Sequence, residues 1–206
     1  MSFNKLYIES FQKGINSAIF EINNRKNTAE DFLKLLLDKT LKVKKSSGRL
    51  FLFGNGASSS FANHMALDWS KNGNIPAQSL SDSALLTALS NDYSFEHCFT
   101  EYSKINGLNE NDFVISISSS GNSPNIISVL RYANKLGVKT FALNGLKADN
   151  ISRKIANFSV FYDFKTYGMV ECAHQLYLHL WLDAYMGVNE WEKSEYQNMN
   201  IKDFKL

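Results

Sequence analysis

The sequence predicts an α/β protein built on a doubly wound parallel sheet, and three observations carry that expectation. Leu50-Phe51-Leu52-Phe53 and Phe113-Val114-Ile115-Ser116-Ile117 are short β-rich apolar runs, as in strands buried on both faces. Segments of helical spacing separate such runs along the chain, the pattern of βα units. Both runs also end in small residues, Gly54-Asn55-Gly56-Ala57-Ser58-Ser59-Ser60 and Ser118-Ser119-Ser120-Gly121-Asn122-Ser123, that lead into helices.

Taken in order, Leu6, Ile8, Phe11, Ile15, Ile19 and Phe20 predict a helix across Phe3 to Asn23. A second starts near Thr28, with Asp31 three residues on in a capping-box-like arrangement, and runs through Leu33, Leu36 and Leu41. These two N-terminal helices, residues 1–45, either cover the sheet or pair with copies of themselves. The α/β core spans 49–187. Its strands are expected at 50–53, 77–80, 113–117, 138–143 and 158–161, five in all. Helices follow the first strand to about Lys71, run from Ser81-Asp82 through Leu89, from Ser94 to Ile105, from Ser123 to Leu136 and from Asn150 to Ala156. A long helix, Met169 to Tyr185, closes the core, with Gly187 as its C-cap. The polar tail, 190–206, is expected to be partly disordered or to wrap a neighbour. The whole chain, 1–206, reads as one domain without internal repeats.

Composition narrows the partners. The hydrophobic share of 44%, charged share of 20% and net charge of +2 describe a globular chain too near neutral to indicate nucleic acid. Lys42-Val43-Lys44-Lys45 reads as a solvated helix end. Two cysteines, Cys98 and Cys172, give no disulfide or zinc framework, which fits a reducing cytoplasm. Met1 to Lys13 lacks the apolar stretch of a signal peptide, and no run approaches the ~18 apolar residues of a membrane span.

The second small-residue loop has the chemistry of an anion site. Ser123 is placed as an N-cap and Pro124 at the first helical position, where its missing N–H costs nothing. Loop hydroxyls, unpaired first-turn N–H groups and the helix dipole all favour negative charge. Without a lysine the loop is no Walker element, and its shape suits a phosphate monoester on a small molecule. The same stretch also reads as a serine-rich turn with no ligand. Ligands of open parallel sheets sit outside the carboxyl ends of strands, so the two loops face one crevice.

Three of the four histidines, His64, His174 and His179, fall on the helices that border that crevice. His64 and Asp68 share a face at i, i+4; Glu171, Gln175 and His179 form a polar stripe on an otherwise apolar helix. Together they suit a zinc-like divalent ion, or equally an acid/base pair moving a proton between adjacent sugar carbons. A His–Asp pair at this spacing also occurs as a plain helix-surface contact. His97, beside Cys98, reads as structural, and His174 as a support for the site or an interface residue.

Gly54-Asn55-Gly56-Ala57-Ser58, Asn91-Asp92, the serine loop and the terminal helix with His179 resemble the sugar isomerase (SIS) domain. Within it they resemble the phosphoheptose isomerases, over nearly the whole chain. The resemblance implies a three-layer, flavodoxin-like α/β/α sandwich around a five-stranded parallel sheet. It also implies a homotetramer with active sites between subunits. It makes Asn55, Gly56, Ala57, Ser58, Ser118, Ser119, Ser120 and Ser123 contacts of a sugar phosphate, with Asn91 and Asp92 near the sugar hydroxyls. The family's zinc-binding and catalytic His, Glu, Gln and His fall on His64, Asp68, Glu171 and His179; Glu171 also faces substrate, and Asp68 and His179 are the proton-moving pair. Asp68 is one methylene shorter than the family's Glu, Glu171 replaces Gln, Ala57 replaces Gly, and Gly168-Met169 replaces an Asp-Arg pair. The family's Arg after the first core helix has no clear match, with Lys71 one residue away.

The implied activity is isomerisation of sedoheptulose 7-phosphate to glycero-manno-heptose 7-phosphate through an enediol, feeding heptose into a surface polysaccharide or nucleotide sugar. One alternative is an isomerase of a different sugar phosphate. The other is a non-catalytic SIS protein that binds a sugar phosphate or a protein partner, as the initiator-associating protein of bacterial replication does. The changes at Asp68, Gly168 and Met169 favour that last reading; retention of His64 and His179 opposes it.

Overall fold

A computed structural model of the chain describes residues 2–189 and 191. Its elements in order are α1 (Phe3–Asn16), β1 (Ile19–Ile22), β2 (Arg25–Asn27), α2 (Ala29–Lys45), β3 (Leu50–Gly54), α3 (Ala57–Lys71), β4 (Ala77–Ser79) and α4 (Ser83–Tyr93). There follow α5 (Cys98–Ile105), β5 (Phe113–Ser118), α6 (Pro124–Lys135), β6 (Lys139–Gly145), α7 (Ile151–Ile155), β7 (Phe158–Tyr162) and α8 (Tyr167–Met186). The predicted tail, 190–206, lies outside the described residues apart from the exposed Trp191. No helix among the described residues is long and apolar enough to cross a membrane.

The strands form one sheet in the order β2-β1-β7-β6-β5-β3-β4. β3 to β7 are the five expected parallel strands, pairing in parallel with one another. The sheet is nevertheless mixed and seven-stranded, because β1 adds antiparallel to β7 and β2 antiparallel to β1. The helix predicted across Phe3–Asn23 therefore stops at Asn16. Ile19-Phe20-Glu21-Ile22 is a strand sequence, and Asn23 and Asn24 turn the chain with φ of 50° and 62°. Asparagine tolerates that left-handed region, and two such residues in succession make the tight turn of a hairpin. Arg153 of α7 clamps the hairpin, donating from Nε and Nη2 to the Glu21 carboxylate at 2.6 and 2.9 Å. The helix predicted from Ser94 begins later, at Cys98, because Ser94 has φ 86° and breaks the chain direction.

Other local signals act as expected. Thr28 caps α2, its Oγ1 accepting from the Asp31 N–H at 3.1 Å and donating to the Asp31 carboxylate at 2.9 Å. Gly187 closes α8 in the left-handed conformation, φ 68°.

The two faces of the sheet carry separate cores. On one, α2, α3 and α8 pack Phe32, Leu36, Met65, Trp69, Tyr177 and Trp181 over Leu50, Ile115 and Phe141, with the two indoles 4.5 Å apart. On the other, α5 and α6 pack Phe99, Tyr102, Ile126 and Leu130 over Phe51, Phe53 and Val114. From β3 the chain moves outward to β4, then returns past β3 to β5 and continues the other way. The winding reverses between β3 and β5, whose ends are in register at Gly54 and Ile117. Both small-residue loops leave the sheet at that reversal. Gly54 is required there, since a Cβ would lie 2.5 Å from the backbone of Ser58 as α3 starts directly over the strand end.

Candidate active site

A cavity of about 290 Å³ opens at the reversal point. Asn55, Gly56 and Ser58 line it from the β3–α3 side, Ile117, Ser118, Ser119, Ser120 and Ser123 from the β5–α6 side, and Tyr167 and Glu171 from α8. Among the described residues this lining has no lysine, arginine or histidine, and its one charged side chain is Glu171. An anion held here is held by neutral donors.

The loop's internal hydrogen bonds prepare those donors. Ser118 Oγ accepts from the Gly121 N–H at 3.2 Å, and Ser120 Oγ from the Asn122 N–H at 3.2 Å. With an oxygen lone pair taken, each hydroxyl has its proton to offer. Ser119 Oγ is buried and has no partner among the described residues, a group whose desolvation a ligand oxygen would offset. Ser123 occupies the N-cap position of α6 with Pro124 after it, yet its side chain makes no capping bond. Gly121 holds the loop's turn at φ 61°, and a Cβ there would fall on Asn150 and Ser152.

Asn125 is a residue that the sequence reading passed over. It is buried, and its amide forms a reciprocal pair with that of Asn55: Asn55 Nδ2 donates to Asn125 Oδ1 and Asn125 Nδ2 to Asn55 Oδ1, each at 2.9 Å. The two ligand loops are joined side chain to side chain. The signal available in sequence was only a second small polar residue after Ser123-Pro124.

The remaining expected residues do not all meet. His64, Asp68 and His179 come together, with ligand atoms all within 4.8 Å of one another. His64 Nε2 lies 3.2 Å from Asp68 Oδ2, the two imidazoles are 5.2 Å apart, and Gln175 Nε2 is 2.7 Å from His179 Nε2. Glu171 lines the serine cavity instead, two helical turns (about 12 Å) along α8 from His179. Ala57, the first residue of α3, is exposed and not part of the lining. Asn91 and Asp92 are exposed on α4, bonded to each other at 3.0 Å, and are likewise outside the lining. His174 is fully buried beside Tyr162, and burial pushes its pKa down to about 4, with the Asn144 backbone opposing in part.

A cavity lined by serine hydroxyls at the reversal point of a doubly wound sheet is where such folds bind small molecules. The SIS domain profile matches residues 15–145, and the chain belongs to the SIS domain family. Its relatives include a phosphoheptose isomerase of Aneurinibacillus thermoaerophilus, 33% identical over 133 residues covering 60% of this chain and 67% of that one. A phosphoheptose isomerase of Maridesulfovibrio salexigens is 32% identical over 149 residues, 68% of this chain and 72% of the relative. In fold, the chain is similar to a phosphoheptose isomerase from Francisella tularensis, with a TM-score of 0.75 and 24% identity over 90% of this chain and 98% of the other.

Proposed function

We propose that this chain is an aldose–ketose isomerase of a sugar phosphate, interconverting sedoheptulose 7-phosphate and glycero-manno-heptose 7-phosphate. The observation that carries this reading is the pairing of a neutral serine cradle, with the unpartnered Ser119 Oγ, and a His64–Asp68–His179 cluster on helices that border the same crevice. Ser118, Ser119, Ser120 and Ser123 hold the phosphate, and Glu171 faces the polyol chain. Asp68 or His179 takes the proton from C1 of the ketose while O2 is protonated, giving an enediol, and the proton is delivered to C2 as O1 gives up its own to become the aldehyde. Asn55 donates to the oxyanion that develops on the way.

The donor set fits a zinc-like ion: two imidazoles and a carboxylate, with ligand atoms within 4.8 Å of one another. His64, Asp68 and His179 would hold it, and such an ion would supply Lewis-acid polarisation of the substrate oxygen. Glu171 cannot join His179 within one chain, given the two turns between them. A second copy packed antiparallel along α8, with its axis near Gln175, would bring Glu171 of one copy to the cluster of the other. That two-fold contact would place active sites between subunits, and a second such axis would be needed for the homotetramer. Leu67, Leu176 and Leu180, 59%, 46% and 42% exposed around the cluster, are apolar surface suited to such a contact. Two free cysteines, Cys98 and Cys172, suit a cytoplasmic enzyme.

The test is proton exchange followed by NMR, with sedoheptulose 7-phosphate in heavy water, with and without added zinc. Deuterium entering at C1, lost in His179→Ala, is the expected result. Binding without exchange would leave the non-catalytic sugar-phosphate binder as the better reading. That reading draws on the short Asp68, whose Oδ2 is already engaged by His64.

A further inference from the structure

We infer that Asn125 is a positioning residue that sets the polarity of the Asn55 amide, turning an N–H rather than a C=O toward the substrate. The inference rests on the isomerase reading for the reaction it serves, and on geometry for the polarity itself. A reciprocal pair of amides has two equivalent arrangements, since exchanging O and N in both partners restores the same two hydrogen bonds. Here a third contact removes the equivalence. The backbone N–H of Ile126 donates to Asn125 Oδ1 at 3.0 Å. Rotating the Asn125 amide would set its NH2 against that N–H, donor facing donor, in a site where Asn125 is 2% exposed. Asn125 is held with its oxygen toward Ile126, and Asn55 must answer with its NH2 on that oxygen and its own oxygen on Asn125 Nδ2.

The consequence lies on the cavity side. Asn55 spends one N–H on Asn125 Oδ1, which leaves its second N–H as a donor that no atom of the described residues takes. Asn55 lines the cavity, so this donor belongs to the ligand. An isolated asparagine would present oxygen or nitrogen at little difference in cost, and its carbonyl would repel a phosphate or an enediolate. The Ile126 N–H is a main-chain group in the first turn of α6, fixed by the helix itself. It therefore transmits the geometry of the serine loop's helix to a side chain on the other loop.

The experiment uses the full-length protein labelled with 15N-asparagine, together with a double-mutant cycle. In the wild type the two Nδ2 protons of Asn55 should differ: one protected against solvent exchange, the other fast and slowed when sedoheptulose 7-phosphate binds. In Asn125→Leu both should exchange fast. Loss of one oxyanion donor costs roughly 10²-fold or more in rate, so Asn55→Ala should lose about that much. Asn125→Leu should lose somewhat less, and the double variant no more than Asn55→Ala alone. Additive losses would show that Asn125 acts structurally and would overturn the inference, as would two equally fast Asn55 protons in the wild type. The wild-type spectrum decides even where Asn125→Leu fails to fold. If the wild type binds the sugar phosphate without C1 exchange, the isomerase reading fails while the same cycle, read in affinity, still decides the role of Asn125.

Discussion

His174 shows how a single residue can couple the fold to pH. Its ring sits on α8 within the core, fully buried, with the Tyr162 ring 6.1 Å away. Burial disfavours the imidazolium and pushes the pKa from 6.5 down to about 4. Above pH 6.5 the ring is neutral whether the chain is folded or not, and it has no effect on the pH dependence of stability. As pH falls from 6.5 to 4 the unfolded chain binds a proton that the folded one refuses, so stability drops through that window and levels off below it. The complete drop is about 3 kcal/mol. Urea titrations at pH 7.5 and pH 4.5 should therefore show a smaller difference in His174→Leu than in the wild type, by most of that amount. An unchanged difference would mean that the imidazole is solvated or paired in the folded protein. In sequence His174 was legible only as one of three histidines near a crevice; that it alone is sealed off depends on the packing of α8 against β6 and β7, which spacing along one helix does not encode.

Among the elements, the β1–β2 hairpin is the informative failure. Leu6, Phe11, Ile15 and Ile19 continue at helical intervals, and periodicity alone ran the first helix through them. The competing signals were local: Asn23-Asn24, and the strand-like Ile19 to Ile22. β3, β5, β6 and β7 were legible because both of their faces are buried, which forces largely apolar runs; β4, the partly buried edge strand Ala77-Gln78-Ser79, has no such run. The hairpin pairs with an edge, is only partly buried, and leaves no such run. Its turn makes a prediction. Asn24, at φ 62°, also donates from Nδ2 to the Lys154 carbonyl at 3.1 Å. Asn24→Val combines a β-branched side chain in the left-handed region with loss of that bond, and should cost roughly 2 kcal/mol. Asn24→Gly relieves the first term and should cost about 1 kcal/mol or less. Equal costs in chemical denaturation would show that the turn is not held in the left-handed conformation.

On the scale of the whole molecule the cavity at the serine loop is lined by one chain, whereas the proposed reaction cluster draws Glu171 from a second copy. Ser118 to Ser123 and Asn55 meet because the winding reverses between β3 and β5, a consequence of topology that the alternation of strands and helices already announced. Glu171 and His179 were read as one stripe, correctly as to their shared face, but a stripe two turns long reaches two different places. Joining them takes a second copy, and the exposed Leu67, Leu176 and Leu180 beside the cluster are where that copy would sit. Leu180→Asp places a charge on this surface without touching either core, since Leu180 belongs to neither cluster of buried residues. The separate chains should keep their circular dichroism and lose assembly in light scattering. If the proposed assembly is right, zinc binding and exchange of the C1 proton should fall together, by ~100-fold or more, because each copy would then lack the Glu171 carboxylate of its neighbour. Affinity for inorganic phosphate should persist, since the serine loop needs no partner. A dissociated variant that still exchanges C1 protons at the wild-type rate would place the whole reaction within one chain, and Glu171 would then serve the cradle alone.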